Sequence, residues 1–386
     1  MSDDLKYRVL GEHDVNAIAQ MDKCVENDGF VAGALMADGH LGYTAPIGSV
    51  LAFDGRVSPG AVGYDIACGN KAVMLDVLYQ DVQDDIGEIM DDIWASIPFG
   101  VGSEPSHPIE HPVLDDPGFD GPVTRDLKDL AAKQLGSVGA GNHYVDLFHD
   151  EDDHVWIGVH FGSRGFGHKI ATHYVKLAGG NQGMNADMAF FDVDSDDGRE
   201  YLEAMALAGK YAYAGRDIVC EQVAEIVGAF IVEGVHNHHN FAWVEDFDNR
   251  KLWVHRKGAT PARHGQRGFV GGSMGDVSYI VEGVEGVDSA STLYSTVHGA
   301  GRVMSRTQAA GKTKYKNGRR VRVSEGAISQ EMRDEWMSDF GDIELRGGGL
   351  DESPQCYRRL PEVISAQGDS VRVVRELTPI GVAMAG

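Results

Sequence analysis

Short glycine-rich blocks recur from residue 36 almost to the end of the chain, and most hold a histidine, an acid or a hydroxyl. GHLGY, GYDIACGN, GAGNHY, HFGSRGFG, GGSMGD and HGAGR are the clearest of them. Glycine adopts backbone conformations closed to other residues and lets main chain approach a ligand closely. Scattered without a fixed period, such blocks suggest one functional unit rather than separable domains, so residues 1–386 read as a single domain. The 50 glycines and 42% hydrophobic residues fit a compact, turn-rich globular protein, not a fibrous or disordered one.

Strand-like apolar runs fall at 154–159, 252–255 and 370–376, and helix-like three- and four-residue steps at 81–95, 199–232 and 329–339. Strands and helices are interspersed without regular βαβ alternation, which argues for an α+β fold. Residues 104–121, rich in Pro, Asp and Gly, read as an exposed loop, disordered in part. No apolar stretch is long enough for a membrane span. The acidic N-terminus lacks the pattern of a signal peptide. Cys24, Cys68, Cys220 and Cys356 show no paired spacing, which fits a cytoplasmic protein.

A net charge of −25 argues against a general nucleic-acid binder. Between Arg250 and Arg322, however, 14 Lys/Arg stand against four acids, a local balance of +10. That block reads as a confined anion-binding face, although Lys312 to Arg322 taken alone fit ordinary solvated charges.

Asp65 and Cys68 lie three residues apart in GYDIACGN, so a turn can point both at one centre. His143, His160 and His236 sit beside Gly or Asn rather than inside apolar periodic runs. Imidazole and thiolate bind divalent first-row metals, and a carboxylate favours a harder ion such as manganese; zinc also suits this set. Together they could hold two adjacent ions suited to phosphoryl transfer. Singly, each has a plainer reading: a buried thiol, a turn aspartate, a hydrogen-bonded core histidine. His238 and His239 are expected to be bystanders, since neighbours of a ligand cannot all face one ion.

From His255 to Arg306, glycines alternate with hydroxyls and cations, a composition suited to phosphate. Flanked by Gly299 and Gly301, His298 could act as a covalent nucleophile, with Arg302 neutralising the phosphate it attacks. HGAGR alone could equally be a glycine turn carrying a hydrogen-bonded histidine.

Eight collinear blocks resemble the RtcB family of RNA-splicing ligases: MADGHLGYTAPIGSV, GAVGYDIACGN, GAGNHY, HFGSRGFG, VHNHHN, HRKGAT, GGSMGDVSYI and HGAGRVMSR. The resemblance implies an α+β fold, with mixed sheets around a deep cleft holding two manganese ions. One ion would take Cys68, His160 and His236, and the other Asp65, Cys68 and His143. His298 would accept GMP from GTP, with Asn142 near the phosphate and Asp146, Lys257, Ser273, Ser278, Arg302 and Tyr357 around the nucleotide. The implied substrates are RNA 2′,3′-cyclic phosphate or 3′-phosphate ends and 5′-hydroxyl ends, as in tRNA splicing and RNA repair. A monomer is favoured, and the need for an activating protein stays open.

Three departures from the family pattern stand out. Ala385 occupies the position of a lysine that reads guanine, Asp146 replaces a glutamate, and Cys356 and Arg358 flank Tyr357 where Ala and Lys are usual. They suggest a divergent subgroup and weaken the expectation of guanine specificity. Two other readings remain: a 2′,3′-cyclic phosphodiesterase or RNA end-modifying nucleotidyltransferase with altered nucleotide choice, and a non-catalytic metal-containing RNA-binding protein.

Overall fold

The structure, a computed structural model, describes residues 6–184, 186–247, 249–316 and 319–385; side chains at 313, 315, 316 and 319–322 lie outside that description. Helices and sheets mix in the α+β manner expected. The larger sheet has eight strands. It runs Arg267–Val270, Ser278–Gly283, Val371–Met384, Tyr144–His149, His154–Phe161, Gly69–Leu78 and Ile231–His238, every neighbour antiparallel. Glu344–Gly347 adds to Val371–Met384 in parallel. The sheet curls until its two edges meet. Asn70 Nδ2 donates to Phe269 O at 2.8 Å, and Phe269 N donates to Asn237 Oδ1 at 3.1 Å. Both polar groups of one edge residue are thus satisfied by amides from strands across the gap, giving a near-closed barrel.

A five-stranded sheet lies beside it, in the order Arg8–Val9, Phe30–His40, Ile47–Phe53, Arg250–Lys257, Asn240–Phe247. The chain crosses from one sheet to the other at His239, between Ile231–His238 and Asn240–Phe247. A two-stranded pair, Ala259–Pro261 with Ser295–Val297, delivers the chain to His298.

The long helix expected over 199–232 runs Asp196–Val227. Ser195 caps it by accepting from Gly198 N, Asp196 and Asp197 suit its positive end, and Gly228 ends it in a left-handed conformation at φ 77°. Beyond that stop, residues 231–238 form a strand instead. Its apolar face, including Tyr201, Ala208, Tyr211 and Ala212, is buried in a core shared with Phe166, Ile170 and Tyr174. The segment 81–95 divides into Tyr79–Val82 and Ile86–Ser96, and 329–339 forms Gln330–Ser338. The three strand-like runs fall within His154–Phe161, Arg250–Lys257 and, from its second residue, Val371–Met384.

Residues 104–121 hold no strand or α-helix, but they are anchored. Two 3₁₀ turns, Pro112–Asp115 and Pro117–Asp120, bury Val113 and Phe119 in the core formed with the long helix. Asp116 pairs with Lys210 of that helix at 2.7 Å.

Register brings the glycine-rich blocks together. Asn70 lies opposite both His160 and Asn237, and His160 lies opposite Tyr144. Cys68, His143, His160 and the 237–239 segment therefore gather at one end of the barrel.

Candidate active site

At that end, Cys68 Sγ lies 3.7 Å from His143 Nε2 and 3.6 Å from His160 Nε2. These three buried ligand atoms are close enough to share a metal ion. Asp65 Oδ2 approaches His143 Nε2 at 3.0 Å. The far ring nitrogens are held: His143 Nδ1 meets Val138 O at 3.0 Å, and His160 Nδ1 meets Asn70 Oδ1 at 2.5 Å. As the carbonyl at His143 can only accept, its Nδ1 donates and Nε2 turns to the cluster, the arrangement that orients metal-ligating imidazoles. Burial, with further push from His143, His298 and Arg216, holds His160 well below the usual histidine range and so neutral. Burial, then the charge of Asp65, pushes the Cys68 thiol up. A cation reverses that balance, because it favours thiolate. The donor set of thiol, carboxylate and imidazoles thus fits a divalent metal.

His236 does not join this cluster. Arg216 Nε donates to its Nε2 at 2.7 Å, and Arg216 also reaches His238 Nδ1 at 3.0 Å. A strand turns alternate side chains to opposite faces, so 236 and 238 look together toward the long helix. His239, expected to be a bystander, is the residue brought in. The chain bends there, His239 N donates to Cys68 O at 2.8 Å, and the ring stacks on His160 at 5.0 Å. Its Nδ1 is buried without a hydrogen-bond partner. Strand alternation in VHNHHN was the available signal that His236 and His238 share a face that His239 does not.

A cavity opens beside the cluster, lined by His40, Asn142, Tyr144, Asp146, His160, Ser273, Met274, His298, Arg302, Tyr357 and Met384 among others. His298 is fixed by a residue the sequence reading passed over. Asp38 Oδ2 receives His298 Nδ1–H at 2.5 Å and the His298 main-chain N–H at 2.9 Å. Burial works to raise the Asp38 carboxyl, but the charge and hydrogen bonds of His298 hold it below the usual carboxylate range. In the neutral ring Nδ1 is thereby the donor, and the lone pair sits on Nε2. A fully buried acid in the apolar run FVAGALMADGH demands a partner, and that was the sequence signal for Asp38. His40 lies beside this pair, its ring 6.4 Å from that of His298, with burial pulling it down to about 4.

Gly301 is required for a reason other than access. At φ 75°, a Cβ there would stand 2.4 Å from Asp38 O. Gly299 is the glycine with room beside His298, since its Cβ would meet only Gly271 O, at 3.2 Å.

Asn142, Asp146, Ser273, Arg302 and Tyr357 line the cavity as expected, whereas Lys257 and Ser278 do not. Lys257 Nζ binds the carbonyls of Tyr43 and Gly60, buried so fully that its amine is pulled down to about 8. Ser278 Oγ instead accepts from Gly272 N at 3.0 Å and holds the glycine turn from behind. Ala385 lies outside the cavity, in a separate surface cleft with Trp94 and Phe99, while Met384 reaches into the wall. Asp146 is buried with Oδ1 unpartnered, and desolvation raises its carboxyl well above normal.

Every arginine of the basic block whose side chain is described stands beside an acid. Arg256 is wholly buried and donates to Glu245 at 2.5 Å, which also holds Arg263. Arg250 pairs with Asp54, Arg267 with Glu282, and Arg302 and Arg306 with Glu352. The side chains of Lys316, Arg319, Arg320 and Arg322 lie outside the described residues.

A candidate metal-ligand cluster and a carboxylate-held histidine thus meet at one cavity, an arrangement able to support phosphoryl or nucleotidyl transfer. The family model described as "tRNA-splicing ligase RtcB" matches residues 15–116 and 120–385, and the chain belongs to that family. It is 31% identical over 379 residues to the RNA-splicing ligase RtcB of Escherichia coli (strain K12), covering 90% of this chain and 88% of that protein. It is 30% identical over 436 residues to the tRNA-splicing ligase RtcB of Thermococcus kodakarensis, covering 90% and 86%. The RNA-splicing ligase RtcB of Mycobacterium tuberculosis is 32% identical over 429 residues, covering 91% and 96%. No helix among the described residues is long and apolar enough to cross a membrane.

Proposed function

We propose that this protein is a cytoplasmic RNA ligase that joins 2′,3′-cyclic phosphate or 3′-phosphate ends to 5′-hydroxyl ends, using GTP and manganese. The observation that carries the reading is the Asp38–His298 pair, which lines the cavity beside the Cys68, His143 and His160 cluster with Nδ1 held by the carboxylate. Manganese ions held by Asp65, Cys68 and His143, and by Cys68, His160 and His239, would neutralise phosphoryl oxygens during transfer. His239 replaces His236 in this set because it is the histidine at the cluster.

His298 Nε2 attacks the α-phosphate of GTP, the N–P bond forms, and pyrophosphate leaves. Asp38 stabilises the positive charge that develops on the imidazole, as a buried carboxylate does for a nucleophile-bearing or base histidine. The RNA 3′-phosphate, hydrolysed from its cyclic form where necessary, then takes GMP from the histidine. The 5′-hydroxyl oxygen of the second fragment attacks that activated phosphate, and GMP departs as the phosphodiester forms. Asn142 lies 3.3 Å from His160 Nε2, where its amide can also meet a phosphate. Arg302, Ser273 and Tyr357 would hold the nucleotide, and Asp146 would meet its base.

The test is to incubate the protein with manganese and α-labelled GTP and look for acid-labile, alkali-stable label that disappears in His298→Ala. RNA bearing a cyclic phosphate and a 5′-hydroxyl partner must then yield a joined product. Label from ATP but not from GTP would reassign the nucleotide. Label without joining would reassign the protein as an end-modifying nucleotidyltransferase.

A further inference from the structure

Tyr144 lines the cavity, and its hydroxyl is buried with no hydrogen-bond partner among the described residues and no part in the steps above. Its ring lies nearly flat against His160, with centroids 5.5 Å apart and an angle of 18°. Its hydroxyl presses on Gly271, where an added Cβ would stand 2.0 Å from the oxygen. Gly271 in turn forms a backbone bridge with Gly299, the residue after His298. The phenol therefore spans from the metal-ligand cluster to the neighbour of the nucleophile.

We infer that the Tyr144 hydroxyl donates a hydrogen bond to a non-bridging oxygen of the α-phosphate as His298 attacks it. This rests on the ligase reading and adds a residue to it. A buried phenol without a partner destabilises the folded chain, and a ligand that accepts from it removes that penalty. The part of a nucleotide that lies between an attacking histidine and a metal cluster is its phosphate, whose non-bridging oxygens are strong acceptors. The contribution grows as negative charge shifts on those oxygens in the transition state. Packing against His160 requires only the ring. The hydroxyl demands in addition that residue 271 carry no side chain.

Tyr144→Phe keeps the ring and removes the hydroxyl. At saturating GTP, adduct formation on His298 should slow by about tenfold to a hundredfold, with manganese affinity unchanged. The two diastereomers of GTP α-thiophosphate then locate the contact, because sulfur is a weak acceptor. With one diastereomer the gap between wild type and variant should close, and with the other it should persist. Adduct formation by Tyr144→Phe at the wild-type rate, an equal gap with both diastereomers, or full recovery at high manganese would each overturn the assignment. The last of these would mark Tyr144 as packing for His160. Failure of the wild-type protein to take label from GTP would overturn the ligase reading and this inference together. Equal labelling of both proteins would overturn this inference alone.

Discussion

The two ends of the cavity handle charge in opposite ways. At the metal end, His143 is oriented by a main-chain carbonyl and His160 by an amide, and their other nitrogens turn toward Cys68. Burial keeps His160 and His239 neutral. At the other end the cations are already committed. Arg302 donates to Glu352, to Tyr357 and to the Asp351 carbonyl, while Arg306 also reaches Glu352. A cation site can be formed in advance from neutral donors, whose desolvation is tolerable. Unpaired guanidiniums in a closed pocket would be far less stable, so this chain balances them with its own acids. Any anion entering there would have to share Arg302 with Glu352.

The comparison breaks most sharply at His298, the proposed nucleophile between the two ends. Asp38→Asn preserves size but loses the charge that stabilises His298, and adduct formation should fall by about 10³ to 10⁴. A rate within tenfold of wild type would remove Asp38 from the mechanism. Next in size, Glu352→Gln leaves Arg302 without its counter-charge. Urea unfolding should show a loss of about 2–3 kcal/mol, less than for a fully buried pair because Arg302 is partly exposed. If stability is unchanged, the ion pairs at this end are ornamental.

The two faces of Ile231–His238 offer a third test. His239→Ala should weaken manganese binding by at least the roughly tenfold to hundredfold typical of losing an outer-shell partner, whereas His236→Ala should leave it nearly unchanged and instead loosen Arg216. Calorimetric titration of both variants decides, and the reverse ranking would restore His236 as the ligand.

The last test is pH. His40 and His255 are both pulled down to about 4 by burial. Their unfolded-state value is near 6.5, so between about 6.5 and about 4 the unfolded chain takes up protons that the folded chain refuses. Stability should therefore fall with acidification across that window, by about 1.4 kcal/mol per pH unit for each residue at full difference. Urea midpoints from pH 7 to pH 5 measure the slope, and His255→Gln should flatten it. A midpoint that does not move over this range would mean that both rings protonate freely in the folded protein.

The glycine-rich blocks drew attention to Cys68, His143, His160 and His298, because a reactive side chain beside glycine or asparagine stands out from an apolar periodic run, but their roles rested on the family resemblance. The stop at Gly228 was equally legible, yet a continuing apolar pattern carried the expected helix four residues past it. Other features depend on contacts between residues distant in sequence. Asp38 meets His298 across 260 positions, and nothing local announces that pairing. Lys257 looked like a phosphate ligand until the five-stranded sheet turned it toward the carbonyls of Tyr43 and Gly60. The +10 balance of 250–322 was a correct count, but a count of charges carries no information on which acid stands beside each base. What the sequence determined by itself was the chemistry on offer: a thiol, a set of imidazoles and glycine loops suited to phosphate. What tertiary structure decided was which of those groups face one another, because alternation along a strand fixes only that neighbours diverge. Packing against the long helix, through Arg216, settles that His236 and His238 turn away and His239 turns in.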